Sequence, residues 1–97
     1  MLKKRRFKRE NVVKVTFVLP PHVDGERVEL AGEFTDWQPT QPLRRQMDGS
    51  WRTTVDLEPG REYQFRYVVD GERWINDPEA DRYAPNPHGE ENSVVAT

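Results

Sequence analysis

Between Glu62 and Val69 the chain alternates with a period of two. Tyr63, Phe65, Tyr67 and Val69 fall on one parity; Glu62, Gln64, Arg66 and Val68 fall on the other. Successive side chains of a β-strand point to opposite faces, so this stretch presents a large aromatic face that has to be buried. One strand cannot bury it; a second layer must pack against it. The same period recurs in Val13, Val15, Phe17 and Leu19, in Val28 and Leu30, and in Trp51, Thr53, Val55 and Leu57. A helical period is found nowhere in the chain.

Turn signals separate these runs. Pro20-Pro21, Asp24-Gly25, Asp48-Gly49, Glu58-Pro59-Gly60 and Asp70-Gly71 each break the ladder or reverse the chain. The pattern predicts strands over 11–19, 27–31, 43–47, 51–57, 61–69, 72–75 and 92–97, with a long proline-containing loop over 76–89. Tyr83 is expected to pack inward from that loop. The fold class is all-β: a sandwich of about seven to eight short antiparallel strands.

Ninety-seven residues without an internal repeat make one domain. Residues 1–9 hold six Lys and Arg side chains and no acid, so residues 10–97 carry a net charge of −8. Residues 1–10 are therefore expected as a basic, flexible arm on an acidic domain spanning 11–97. Such an arm leaves an anionic partner open, but an acidic body repels phosphate and makes nucleic acid a poor partner. The basic start is followed by no apolar run of signal-peptide or membrane length. The lack of cysteine excludes disulfides, thiolate metal sites and a cysteine nucleophile, and it suits a reducing cytoplasm.

The three tryptophans read differently. Trp51 lies in a strand on the parity of Val55 and Leu57, which is a core position. Trp37 and Trp74 each sit just past a strand, at a polar turn. An indole carries about 150–250 Å² of surface that ordinarily seeks burial. Two at loop tips suggest a platform that a ligand covers. One face of a glucose ring is a sheet of slightly positive C–H groups, which complements the negative face of an indole. Arg66 and Asn92 offer forked hydrogen bonding for hydroxyls around the ring edge. His22 and His88 lack metal-ligand spacing, and no nucleophile or phosphate-loop motif is present. The acids, including Asp36, Asp70, Asp77 and Glu79, lie in turns that read as exposed, without the raised pKa that a glycosidase acid needs. No enzyme, cofactor or metal is expected.

Val28-Glu-Leu-Ala-Gly-Glu-Phe-Thr-Asp-Trp37, Gly49-Ser-Trp-Arg-Thr-Thr-Val-Asp-Leu57, Tyr63-Gln-Phe-Arg-Tyr-Val-Val-Asp-Gly71, Trp74 and Asp77-Pro78 together resemble the carbohydrate-binding modules of family 48. That family includes the glycogen-binding domain of the AMP-activated protein kinase β subunit and the early-set domains of isoamylases and branching enzymes. The resemblance runs from about Val13 to Val95. It implies an immunoglobulin-like early-set sandwich that binds α-1,4-glucans such as glycogen or starch, with a glucan-metabolising enzyme or kinase as partner. It further implies that Trp37 and Trp74 stack on glucose, that Arg66 and Asn92 contact hydroxyls, and that Gln64, His88 and Glu90 flank the sugar. At His88 and Glu90 the chain departs from the family pattern, which carries an apolar residue and a threonine there. The alternative is an early-set domain that serves protein interaction or regulation with little sugar binding.

Overall fold

The computed structural model describes all residues, Met1–Thr97. Ten strands form two antiparallel sheets. The first has the order β1 (Leu2–Phe7), β2 (Val12–Leu19), β6 (Trp51–Leu57), β5 (Arg44–Arg45). The second has the order β4 (Gln41–Pro42), β3 (Val28–Gly32), β7 (Glu62–Val69), β10 (Glu91–Ala96), β9 (Arg82–Pro85), with β8 (Arg73–Ile75) paired to β7. A single 3-10 turn, Glu33–Thr35, interrupts the strands. No helix is long and apolar enough to cross a membrane.

The core lies where the alternating faces meet. Val13, Val15, Phe17 and Leu19 of β2 face Phe65, Tyr67 and Val69 of β7, with Val28, Leu30, Trp51, Leu57 and Val95 completing the layer. Each fully buried apolar side chain of this size contributes about 1.5–3 kcal/mol. The aromatic rings meet edge to face: Phe17–Phe65 centroids are 5.0 Å apart and Phe65–Tyr67 5.6 Å. Trp51 is buried, as its parity requires. Its far edge is covered by the Arg45 guanidinium, 5.3 Å from the ring centroid.

Four expectations need correction. The basic stretch expected as a flexible arm forms β1, which pairs along its full length with β2, from Leu2↔Phe17 to Phe7↔Val12. Cationic side chains on a sheet edge discourage further pairing but do not prevent the strand itself. The 76–89 loop contains β9, which pairs with β10 through Asn92↔Ala84 and Ser93↔Tyr83. Tyr83 does not enter the core; it stays exposed, and its hydroxyl donates to the Asp77 carbonyl at 2.6 Å.

The fourth correction is Asp77, which read as an exposed turn acid and is fully buried. Its carboxylate accepts hydrogen bonds from the Tyr67 hydroxyl at 2.8 Å and the Glu79 amide at 2.7 Å. The Met1 α-ammonium lies 2.6 Å from its Oδ1. The Asp77 amide donates to Ser93 Oγ, whose hydroxyl donates to Asn76 Oδ1, both at 2.8 Å. A buried carboxylate is tolerated only when its acceptors are filled in this way.

Burial, helped by the Asp77 charge and their hydrogen bond, pushes the Tyr67 phenol well above its usual 10.0. The unfolded chain therefore releases this proton from about pH 10 while the folded chain keeps it, so stability falls as pH rises beyond that point. Tyr67→Phe should cost about 1.5–3 kcal/mol at pH 7, because a bond to a charged acceptor is lost. It should also flatten the alkaline fall. Urea unfolding at neutral pH and above pH 10 measures both effects; an unchanged alkaline slope would assign that fall to other groups.

Candidate functional site

An open cleft of about 470 Å³ lies at the end of the second sheet. Two separate turns deliver an indole to it. Trp37 arrives after β3, and Trp74 sits in β8, opposite Val68 of β7. Trp37 is half-buried and Trp74 is exposed.

The Trp37 turn is held in an uncommon conformation. Asp36 and Trp37 both take left-handed backbone angles, with φ of 53° and 60°. For residues carrying a Cβ this costs about 1–2 kcal/mol each, so the surroundings must enforce it. Trp37 N–H donates to the Gly32 carbonyl at 2.8 Å. Thr35 Oγ1 accepts from the Gly32 amide at 2.9 Å and donates to the Gly32 carbonyl at 3.1 Å. Phe34 anchors the turn in the core, its ring centroid 5.8 Å from Phe17 and 6.0 Å from Tyr63. Strain of this kind concentrates at functional sites.

Trp74 is positioned by its register on β7 and by Arg66. The Arg66 guanidinium donates to the Trp74 carbonyl at 3.2 Å and to Glu90 Oε2 at 3.1 Å. Arg66 is therefore not the free, solvated side chain that its strand parity suggests: its side chain is 16% exposed. The hairpin that returns the chain uses Asp70 and Gly71, both at positive φ (53° and 71°), as a type I′ connection requires. The Asp70 carboxylate accepts from the amides of Glu26 and Arg27, which hold it well ionised below its usual 3.8.

A chain of amides forms the floor. Asn92 is buried and donates to Gln64 Oε1 at 3.0 Å; Asn86 donates to Asn92 Oδ1 at 3.3 Å. Asn86 Oδ1 in turn accepts the amides of His88 and Glu90, each at 3.0 Å, which folds the 86–90 turn over the cleft. The cleft thus brings together Trp37, Trp74, Arg66, Gln64, Asn92 and His88 from the sequence reading. Glu90 does not line it directly but reaches it through Arg66. The sequence reading missed Glu33, Asn86 and Pro87. Glu33 follows the glycine that ends β3, and its Oε1 accepts the Gln64 amide at 2.6 Å. Its place directly after Gly32, in the turn leading to Trp37, was the available signal. Asn86-Pro87 carried only a loop signal.

The fold and this cleft define a small β-sandwich that exposes paired indoles beside a polar, amide-rich floor. The family described as the glycogen recognition site of AMP-activated protein kinase matches residues 8–97, and the chain belongs to that family, a class of carbohydrate-binding module. It is 29% identical over 73 residues to the signal transduction protein MDG1 of Saccharomyces cerevisiae, covering 72% of this chain and 19% of that protein. It is 34% identical over 70 residues to the chloroplastic protein FLOURY ENDOSPERM 6 of Oryza sativa subsp. japonica, covering 72% of this chain and 13% of that protein. The chain thus spans less than a fifth of either relative. The ferric enterobactin esterase of Salmonella typhimurium shares the fold, with a TM-score of 0.76 at 15% identity over 99% of this chain and 34% of that one.

Gly32 has a different task from the turn glycines. Its backbone is extended, and a Cβ added there would stand 2.7 Å from the Gln64 carbonyl oxygen and 2.9 Å from Phe65 Cβ. Neither obstacle can swing aside. Gly32→Ala should therefore destabilise the domain by about 1–3 kcal/mol, as overpacking does. Urea unfolding followed at the far-ultraviolet circular dichroism signal reads this directly; an unchanged midpoint would show that β3 and β7 separate easily at that point.

Proposed function

We propose that the chain is a non-catalytic module for α-1,4-linked glucans, which grips successive glucose rings on Trp37 and Trp74. The observation that carries this reading is the convergence of the two indoles on one open cleft from turns far apart in sequence. Membership in a glycogen-recognition family supports the same ligand class. Gln64, Asn92 and His88 supply amide and imidazole groups for sugar hydroxyls, and Arg66 with Glu90 borders them. Both carboxylates of the region are engaged by donors from the fold, Glu33 by the Gln64 amide and Glu90 by Arg66. Each is thereby held in a structural bond instead of standing free as the acid of a glycosidase pair.

Two stacked rings at about 1–3 kcal/mol each, by analogy with base stacking, give roughly 2–6 kcal/mol in all. That corresponds to dissociation constants from about tens of micromolar to millimolar or weaker. Affinity of this size suits targeting, in which a linked or associated glucan-metabolising enzyme or kinase gains avidity on a polymer. A chain without cysteine suits a reducing compartment such as the cytoplasm for this role.

Titration with maltoheptaose or β-cyclodextrin, read by tryptophan fluorescence, tests the proposal. Trp37→Ala and Trp74→Ala should each weaken binding by about 5- to 150-fold while the protein stays folded. Trp51→Ala should instead lower stability by about 3–5 kcal/mol. Absence of binding by the intact chain at millimolar sugar would refute the glucan reading.

A further inference from the structure

A second cleft, of about 590 Å³, lies away from the indoles on the edge of the first sheet and shares no residue with the glucan cleft. It forms because β5 is only two residues long and pairs with β6 only through Arg44↔Arg52 and Arg45↔Trp51. Beyond that point the edge of β6 is uncovered, and Thr53 and Thr54 line the notch.

The register sets two guanidiniums, Arg44 and Arg52, directly opposite each other on one face. Like charges in that position destabilise a strand pair. Neither arginine belongs to any of the ion pairs in the chain, which use other cations. The neighbouring Asp48 acts on Arg52 through space but forms no ion pair with it; its Oδ1 accepts from Ser50 N–H at 2.9 Å and Ser50 Oγ at 2.6 Å. Arg52 Nε is shielded from solvent and has no acceptor.

The hydroxyls of the cleft also have donors to spare. Gln41 Nε2 donates to Thr53 Oγ1 at 2.9 Å, which leaves the Thr53 proton free. Thr16 and Thr54 share one hydrogen bond of 3.0 Å between their hydroxyls, so one of the two protons is free as well. No carboxylate lines the cleft. Around it, the outer face of the sheet carries Lys3, Arg5 and Lys14, and Asp56 is the one acid among its strand residues, held by Lys14 at 3.0 Å. Two guanidiniums and the spare Thr16/Thr54 hydroxyl donor on the same face, in a positive field, match an oxyanion with more than two acceptor oxygens.

We propose that the Arg44–Arg52 cleft binds a phosphoryl group, as inorganic phosphate or as a phosphate monoester. The anion bridges the two opposed guanidiniums through their terminal N–H groups. This inference is independent of the glucan reading.

The test is nuclear magnetic resonance of the isotope-labelled full chain, titrated near neutral pH with inorganic phosphate to about 20 mM against sodium chloride of equal ionic strength, a range that detects millimolar binding. Phosphate should shift the Arg52 Nε–H resonance and the amides of Thr16, Thr53 and Thr54, and maltoheptaose should not. Arg44→Gln and Arg52→Gln should each weaken phosphate binding by about tenfold or more. Arg44 is exposed, so its variant reads the site even if loss of Arg52 disturbs the fold. Parallel titrations with glucose 6-phosphate and O-phosphoserine identify the source. Tighter binding of either one marks a sugar-borne or a peptide-borne ester, and binding no tighter than phosphate marks the free anion; each supports the site. No shift beyond that given by chloride, or shifts that persist unchanged in Arg44→Gln, would overturn it.

Discussion

The candidate glucan site depends on a carboxylate that no solvent reaches. Asp77 collects the Tyr67 hydroxyl from the core of β7, the Glu79 amide from its own turn and, through its amide, Ser93 of β10. Breaking either carboxylate bond leaves a buried charge short of a donor, and losing Ser93 leaves the buried Asp77 N–H without an acceptor; each costs more than the bond alone contributes. The loop that leaves β8 is therefore not free to drift. Asn76 is tied to the same cluster through Ser93 and to the Glu91 carbonyl at 2.8 Å, so the strand that carries Trp74 is clamped directly after the indole.

The two indoles are fixed by different physics. Trp74 is placed by strand register, a pairing that a slip of one residue would reverse. Trp37 is placed by a strained turn, whose two left-handed residues are compensated by the Phe34 anchor and the bonds to Gly32. Close approach of β3 to β7 at Gly32 links the two, because Gln64 lies beside Gly32 on one side and bonds Asn92 on the other. Core packing, turn strain and the amide floor therefore form one connected support.

Much of this was legible from the residues. The alternation in β2, β6 and β7 placed the core and the sandwich, because each of those strands has a clean apolar parity. Trp51 separated from Trp37 and Trp74 on parity alone. The elements that escaped lack that signal. β1 has only Leu2 and Phe7 as apolar residues, on opposite parities that mark no face, and its cations read as a tail until the register with β2 is seen. In β9 only Ala84 is buried. Asp77 looked exposed because a turn acid and a buried acid are identical in sequence; the difference is made by Tyr67 and Ser93, which are distant along the chain. Glu33 and Asn86 join the cleft by accepting backbone amides on their side-chain oxygens, a pairing that no apolar alternation announces.

The structure also redistributes work among the site residues. Arg66 read as the group that orients the sugar. Two of its N–H groups are instead committed, one to the Trp74 carbonyl and one to Glu90, and its Nε is shielded without a partner. Arg66 thereby holds Trp74, with Glu90 paired to the guanidinium, and its remaining terminal N–H groups still belong to the cleft it lines. The departure from the family pattern at Glu90 thus has a local consequence, since an acid there pairs with Arg66 where a threonine would leave it unpaired. Hydrogen-bonding capacity toward the cleft rests also on the Gln64–Asn92–Asn86 chain and on His88. Gln64 uses its Oε1 to accept from Asn92, so its own amide protons remain available. A neutral amide floor between two indoles favours a neutral, hydroxyl-rich ligand. The cationic character of the chain is gathered on the other sheet, where Arg44 and Arg52 stand unpaired.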